Sequence, residues 1–560
     1  MNIALAQLNF VIGDFEKNIF KIRQAIKRAK KEKTDLIIFS ELAVCGYPPL
    51  DFLEFDDFIK RCKNAVEEIA ADCKGIAAIV GCPTVNPEIE GKNLFNSACF
   101  LADGKVKNVI HKALLPNYDV FDEYRYFEPG KNNHCIDING IKVALTICED
   151  LWNIEDDPMY VTCPMGELIK ESPQLMINIA ASPFDHTHAE NRKRILKRNA
   201  LQYKLPVIYV NHVGAQTELI FDGGSLVMNE KGEVAHELAY FTEDFFSFEF
   251  TNSGIQLIQE TENKKQKTKV EQQETKNKKQ ETIQRIHDAL ILGIRDYFYK
   301  QNFTKAILGL SGGIDSAVVL CLAAEALGEK NVKALLMPSA FSSKGSVDDS
   351  VILADNLGVE YEIIPIGKMF DEYLASLKQS FNNLPFNVTE ENIQARIRGT
   401  LLMALSNKFG SILLNTSNKS ELAVGYGTLY GDLAGGLSVI GDVYKTDVYA
   451  LAEHINQKKS VIPKNILTKA PSAELRPNQK DSDSLPDYKI LDPILYQYIE
   501  GRKGPNELIA AGFDVNMVKM VLKMINTNEY KRFQAPPILR VSPKAFGMGR
   551  RMPIAGKYLS

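Results

Sequence analysis

Residues Lys305–Leu327 read KAILGLSGGIDSAVVLCLAAEAL. The short apolar run Ala306–Leu310 has the length and composition of a buried strand, and the Ala- and Leu-rich stretch after Ser-Gly-Gly suits a helix. A Gly-Gly pair ahead of a helix N-terminus turns several backbone N–H groups toward an anion, with the positive end of the helix dipole behind them. Gly312 and Gly313 let phosphate oxygens approach the backbone, while Ser311 and Ser316 add hydroxyl donors. Asp315 is out of place beside a phosphate unless it holds a metal, which points to magnesium and ATP. The loop lacks the GKS or GKT ending of a Walker motif. From pattern alone a plain tight turn between strand and helix stays open.

Outward from this stretch, short apolar runs alternate with longer amphipathic segments. Residues 334–337, 361–364 and 412–414 read as further buried strands downstream, and residues 36–39, 77–80, 143–147, 175–179 and 207–210 upstream. Both halves are therefore α/β by pattern. Gly425, Gly427 and Gly431 in GYGTLYG nearly spell GxGxxG, but the spacing is wrong and no strand leads in, so they are not a dinucleotide fingerprint. Two Ser/Asp/Lys-rich stretches, 342–350 and 472–488, read either as lids over a reactive intermediate or as ordinary solvated loops.

At 560 residues the chain exceeds one ordinary core, and two domains of roughly 250 residues are expected. Between Phe250 and Tyr297 there is no aromatic residue, and Glu260–Glu281 is almost wholly Lys, Glu, Gln, Thr and Asn. Such a stretch buries too little apolar area to offset its ordering entropy, so it reads as a solvated, in part helical linker. The expected boundaries are 1–250, a charged linker 251–283, and 284–560. A formal net charge of -4 argues against bulk attraction to nucleic acid or an anionic membrane. Nine cysteines, an odd number without a CxxC pair, suit reduced thiols in a cytoplasm better than a disulfide framework. The alternating N-terminus lacks the basic start and apolar core of a signal peptide, and no apolar run approaches the roughly 20 residues of a membrane helix.

In the first half three reactive side chains follow apolar strands: Glu41 in LIIFSEL, Lys112 in NVIHKALLPNY and Cys148 in VALTICEDLW. A thiolate attacks an amide carbonyl, a carboxylate moves the thiol proton to the leaving nitrogen, and an ammonium stabilises the oxyanion. Each alone is unremarkable, since a Cys after a strand is usually a small buried hydrophobe; Cys45, Cys82 and Cys99 have similar apolar neighbours.

The words around them narrow the reading. FSELAVCGYPPLD, HKALLPNYDVFDEYRYF, TICEDLW and NIAASPF resemble, in order and context, the nitrilase family of carbon–nitrogen hydrolases. The resemblance implies an α-β-β-α sandwich over residues 1–250, with Cys148 as nucleophile, Glu41 as general base and Lys112 as oxyanion-stabilising cation. It places Glu123 as a second, supporting glutamate and Tyr118 and Ser182 against a glutamine substrate. The sixth position after that serine is commonly lysine in glutaminase members; here it is His188.

In the second half SGGIDS resembles the signature of the ATP pyrophosphatases. NIQARIRG, LLNTSNKSELAVGYGTLYGDLAGG, DVYKTDVY and NEYKRFQAPP are similar to segments of the NAD synthetases. Order and spacing resemble the two-domain, glutamine-dependent form of that family. The match implies a Rossmann-like, doubly wound parallel sheet. It implies that residues Gly309, Leu310, Ser311, Gly312, Gly313, Ile314, Asp315 and Ser316, with Thr416 and Lys445, hold ATP. Asn392, Arg396, Glu421 and Lys531 fall where the family binds deamido-NAD, and Asp315 and Glu421 where it holds magnesium. By residue type, Asn392 also suits a helix cap, Arg396 a surface ion pair and Glu421 a first-turn carboxylate. The expected activity is ATP-dependent amidation of deamido-NAD with nitrogen taken from glutamine, in a cytoplasmic homo-oligomer that binds neither nucleic acid nor membrane.

Overall fold

The computed structural model describes residues 1–131, 134–251, 254–256, 271–477 and 479–556. The chain divides into two compact units, Met1–Thr268 and Lys269–Ser560. Of the stretch expected as a linker, residues 252–253 and 257–270 lie outside the described residues; from Glu271 the chain is helical as far as Lys300.

The first unit is an α-β-β-α sandwich of two mixed sheets. In one, the neighbouring parallel strands Asn2–Gln7, Leu36–Ile38 and Ala77–Val85 are flanked by antiparallel ones, including Leu94–Ala102 and Lys105–His111. In the other, Ile141–Ile147, Leu175–Ala180 and Val207–Asn211 run parallel at the centre. The central strands are apolar on both faces because both are covered. Ile3, Leu5, Leu36 and Ile38 meet Leu145, Ile177 and Ile208 of the facing sheet. The alternate residues Ala4, Ala6, Ile37 and Phe39 pack under the helices Phe15–Lys31 and Asp56–Asp72. A period of two thus assigns each side chain to one of two cores.

The second unit is built on a five-stranded, all-parallel sheet in the spatial order Glu360–Ile363, Val332–Leu336, Ala306–Gly309, Ile412–Asn415, Leu437–Ser438. In chain order that is 3-2-1-4-5, a doubly wound arrangement whose direction reverses between Ala306–Gly309 and Ile412–Asn415. Ligands in such sheets bind beyond the carboxyl ends of the strands flanking the reversal. Those ends lead into Ser311 and Thr416.

One expectation is corrected: residues 342–350 are not a loop. The helix Lys344–Leu357 begins there, capped by the Ser343 side chain, which accepts from the Ser346 N–H. Its first turns face polar surroundings and so carry the Ser, Lys and Asp that mimic loop composition. Residues 472–477 and 479–487 are irregular apart from one short 3-10 turn. Among the described residues no helix is long and apolar enough to cross a membrane.

Candidate functional site

The first unit gathers its reactive residues from both sheets. Glu41 and Lys112 follow the strands Leu36–Ile38 and Lys105–His111 of one sheet; Cys148 and Ser182 follow Ile141–Ile147 and Leu175–Ala180 of the other. The Lys112 ammonium donates to Glu41 Oε1 at 2.7 Å and to Glu123 Oε1 at 2.8 Å, and all three are buried. Asn96 Nδ2 donates to Glu41 Oε1 at 2.7 Å, the Ala181 N–H to Glu41 Oε2 at 2.9 Å, and Tyr47 OH to Glu123 Oε1 at 2.9 Å. With Asn96 Nδ2 also donating to Glu123 Oε2 at 3.3 Å, every carboxylate oxygen in this cluster has a donor, as buried charge requires.

Electrostatics set the resting proton positions. Burial opposes the charge on Lys112, but Glu123 and Glu41 hold its ammonium well above the usual lysine value. Burial lifts Glu123 to about 7 against the pull of Lys112. Burial and the Glu41 carboxylate push the Cys148 thiol well above its ordinary value, with Lys112 pulling the other way. The sulfur thus rests protonated and needs a base to become a nucleophile. Cys148 itself sits at φ 42, a left-handed conformation uncommon for a side-chain-bearing residue and characteristic of strained functional positions. Asp150 ties this turn to the lysine strand: its carboxylate accepts from the Ile147, Ala113 and Leu114 N–H groups at 2.9 to 3.0 Å.

Around this cluster, Tyr118 OH donates to Glu149 at 3.0 Å, and Tyr160 OH reaches the same carboxylate at 3.0 Å. Burial raises Glu149 as well. Ser182 Oγ lies 2.6 Å from His188 Nε2, and the His188 ring stacks on Trp152 with centroids 5.1 Å apart. Asn96, Asp150, Glu149 and Tyr160 went unremarked in the sequence. Asn96 lies inside an antiparallel strand, and Tyr160 in an irregular stretch without a motif.

In the second unit a cavity of about 800 Å³ opens at the reversal point. All the residues singled out in this half line it except Gly312. Gly312 has φ +76, and a Cβ there would lie 2.3 Å from the Ser346 carbonyl oxygen, so only glycine lets the loop pass under the neighbouring helix. Ser311 and Ser316 brace the loop from within, Oγ to Oγ at 3.2 Å. Gly313 caps the helix Ile314–Leu327 with no side chain, which leaves first-turn N–H groups for a ligand.

Asp315 and Glu421 converge on one ammonium. Lys445 Nζ donates to Asp315 Oδ2 and, at 3.2 Å, to Glu421 Oε1. Burial opposes the Lys445 charge but the two carboxylates hold it up; burial lifts Glu421 to about 8. Asn418, which caps the helix Lys419–Val424, also donates to Asp315 Oδ1 at 2.9 Å. Among the described residues no three His, Cys, Asp or Glu side chains form a metal cage. Magnesium at nucleotide sites needs only one or two carboxylates beside phosphate and water oxygens. Asp315 and Glu421 fit that requirement.

Asn392, Arg396 and Lys531 meet at the near-miss glycine segment. Asn392 Oδ1 accepts from Thr428 Oγ1 at 2.7 Å, Arg396 Nε donates to the Leu429 carbonyl at 3.2 Å, and Lys531 Nζ donates to the carbonyls of Gly425 and Gly427 at 2.8 and 2.9 Å. Gly425 ends a helix in the left-handed region, and a Cβ on it would collide with Asn528 at 2.1 Å. These glycines serve close packing of the cavity wall.

The carbon-nitrogen hydrolase family model matches residues 2–259, and the NAD synthase model matches residues 286–535. The glutamine-dependent NAD(+) synthetase of Synechocystis sp. is 43% identical over 560 residues, spanning 99% of this chain and 98% of the relative. That of Thermotoga maritima is 41% identical over 578 residues, spanning 100% and 99%. Among solved structures, the glutamine-dependent NAD+ synthetase from Acinetobacter baumannii in complex with ADP superposes with a TM-score of 0.76 at 39% identity, covering 99% of this chain and 98% of that one.

Proposed function

The chain belongs to the glutamine-dependent NAD(+) synthetase family, and from that premise we propose that its two sites divide one amidation between them. Residues 1–250 release ammonia from glutamine, residues 284–560 use it, and 251–283 connect them. The observation that carries this reading is the pairing of a buried Glu41–Lys112–Cys148 cluster with a phosphate-loop cavity in one chain.

In the first unit Glu41 takes the Cys148 proton, and the sulfur attacks the glutamine carboxamide carbon. Lys112 stands where negative charge collects on the carbonyl oxygen. Glu41 returns the proton to the leaving nitrogen, ammonia departs, and water then cleaves the thioester to glutamate. Tyr118, Ser182 and His188 contact the glutamine, and Glu123 supports the cluster through Lys112.

In the second unit the loop Ser311–Ser316 and Thr416 hold ATP at the reversal point. Asn392, Arg396 and Lys531 hold deamido-NAD. The nicotinate carboxylate attacks the α-phosphate and pyrophosphate leaves; ammonia then attacks the activated carbonyl, giving NAD and AMP. Asp315 and Glu421 would hold magnesium, which when bound offsets phosphate charge. Lys445 lies between these carboxylates and adds its own positive charge to the phosphate side.

Incubation with ATP, magnesium, glutamine and deamido-NAD tests the whole. NAD, AMP, pyrophosphate and glutamate are expected together; ATP consumption without NAD would refute the reading.

A further inference from the structure

Six cationic side chains line the cavity of the second unit: Arg396, Arg398, Lys445, Lys469, Arg476 and Lys531. Four are visibly engaged. Lys445 lies between two carboxylates, Arg476 pairs with Asp483 at 3.2 Å, Lys531 bonds two carbonyls, and Lys469 donates to Ser346 Oγ at 2.9 Å. Arg396 is exposed and water screens it. Arg398 is different. Its Nε donates to the Met337 carbonyl at 3.0 Å, and among the described residues it makes no ion pair.

Two carboxylates act on Arg398 from a distance, and both are committed elsewhere. Asp432 accepts from the Thr428 N–H at 2.7 Å. Glu474 accepts from the hydroxyls of Ser343 and Ser346 at 3.0 and 2.6 Å. Burial accordingly pulls the guanidinium down, to about 10, against Asp432 and Glu474. It still carries its charge near neutral pH, and because it is only half-buried, the cost of its partial desolvation stands until an anion arrives.

Position identifies the anion. Arg396 and Arg398 are two residues apart on the helix Val388–Phe409, about 200° around its axis, so they point to different walls. Arg396 reaches the 425–429 segment, where the deamido-NAD candidates gather. Arg398 reaches Met337, just past the strand Val332–Leu336, which neighbours the strand feeding the phosphate loop. The Ser346 carbonyl, on the same side, packs on Gly312 of that loop.

We propose that Arg398 binds the phosphate chain of ATP and carries the charge of the pyrophosphate as it leaves. The assignment rests on the adenylation reading above. A guanidinium with both terminal nitrogens uncommitted suits two phosphate oxygens at once, which a lysine does not.

The test uses the full chain with ammonium as nitrogen source and saturating deamido-NAD. It compares wild type with Arg398→Gln and Arg398→Lys. Glutamine keeps a donor at the place of Nε for the Met337 carbonyl and removes the charge together with the two terminal nitrogens. In Arg398→Gln the KM for ATP and the inhibition constant for added pyrophosphate should both rise by about 10- to 100-fold. The KM for deamido-NAD should stay put, and lysine should recover part of the loss. Wild-type values for ATP and pyrophosphate in the glutamine variant would reduce Arg398 to a tie between helix and strand and overturn the proposal, as would an effect confined to deamido-NAD. Should the glutamine variant unfold, the lysine variant decides by the same two constants: a smaller rise in both supports the assignment, and wild-type values overturn it. A wild-type enzyme that forms no AMP would instead sink the adenylation reading, an outcome visible before any variant is made.

Discussion

The two sites handle charge in opposite ways. In the first unit Lys112, Glu41 and Glu123 are buried, mutually bonded and complete before any substrate arrives. In the second, the cavity holds about 800 Å³ and keeps at least one guanidinium, Arg398, that forms no ion pair among the described residues. The difference follows from the substrates. A neutral amide brings no charge of its own, so the protein must supply acid, base and cation already balanced. A polyanion brings the missing charge with it, so the site is left electrostatically unfinished and closes its balance on binding.

The largest effect expected from breaking the comparison is at the unfinished site. Asp315→Ala leaves Lys445 with one carboxylate and removes one of the two carboxylates proposed to hold magnesium. NAD formation should fall by roughly 10³-fold or more with glutamine and with ammonium alike. Normal magnesium-dependent pyrophosphate release by a folded variant would show the aspartate to be structural. Cys148→Ala should cost as much, but only from glutamine, since no thiol is needed at the other cavity. High ammonium should still support NAD synthesis in this variant, and Cys45→Ala, a packing residue, should use both nitrogen sources. Loss of the ammonium reaction in a folded Cys148→Ala protein would break the division of labour.

A smaller change sharpens the picture of a complete cluster. Glu123→Gln keeps hydrogen-bonding atoms beside Lys112 and Tyr47 but removes a charge. Turnover of glutamine should drop by about 10- to 100-fold with the ammonium-supported rate unchanged. An unaffected glutaminase rate would confine Glu123 to packing.

The smallest effect concerns stability in the second unit. Buried His287 bonds Asp288 at 2.9 Å and Glu325 at 3.1 Å, linking the helices Glu271–Lys300 and Ile314–Leu327. Burial opposes its charge, but the two carboxylates raise its pKa above 6.5; the His454 ring stands 5.2 Å away, and Lys458 also disfavours the charge. A raised folded value contributes stability that is present below the unfolded value and is lost as pH rises through the folded one. Because Glu325 is half exposed, the contribution should be at most about 1 kcal/mol. Thermal melts of the wild type should therefore lose stability as pH rises above 6.5, and His287→Gln should flatten that slope. An identical slope in both would dismiss the pairing.

How much was legible in the sequence depended on how local each signal is. Most buried parallel strands announced themselves as apolar runs, because burial on both faces leaves no polar alternation to confuse the reading; Glu360–Ile363, expected to be buried, is an edge strand with Glu360 and Ile363 exposed. The antiparallel strands did not: Leu94–Ala102 buries the polar Asn96 and Ser97 among its apolar residues, and Lys105–His111 carries Lys and Asn on a half-covered surface. The capped start of the helix at Lys344 looked like a loop, since cap and loop share the same polar residues. Cys148, Glu41 and Lys112 were legible because each ends a strand inside a recognisable word. Asn96, Glu149 and Arg398 were not singled out, because what distinguishes them is the company they keep across long sequence separations.

The sequence by itself determined the two-part α/β organisation, the Gly-Gly turn ahead of a helix and the types of reactive side chain available, since these depend on short runs and on the geometry of one turn. Only the tertiary structure decided which charges are paired. Lys112 is paired with carboxylates 71 and 11 positions away and Lys445 with ones 130 and 24 away, while Arg398 forms no ion pair among the described residues. Pairing depends on distance in space and on burial, which set both the strength of a charge–charge contact and the cost of leaving it unmade, and neither is written in the neighbours along the chain.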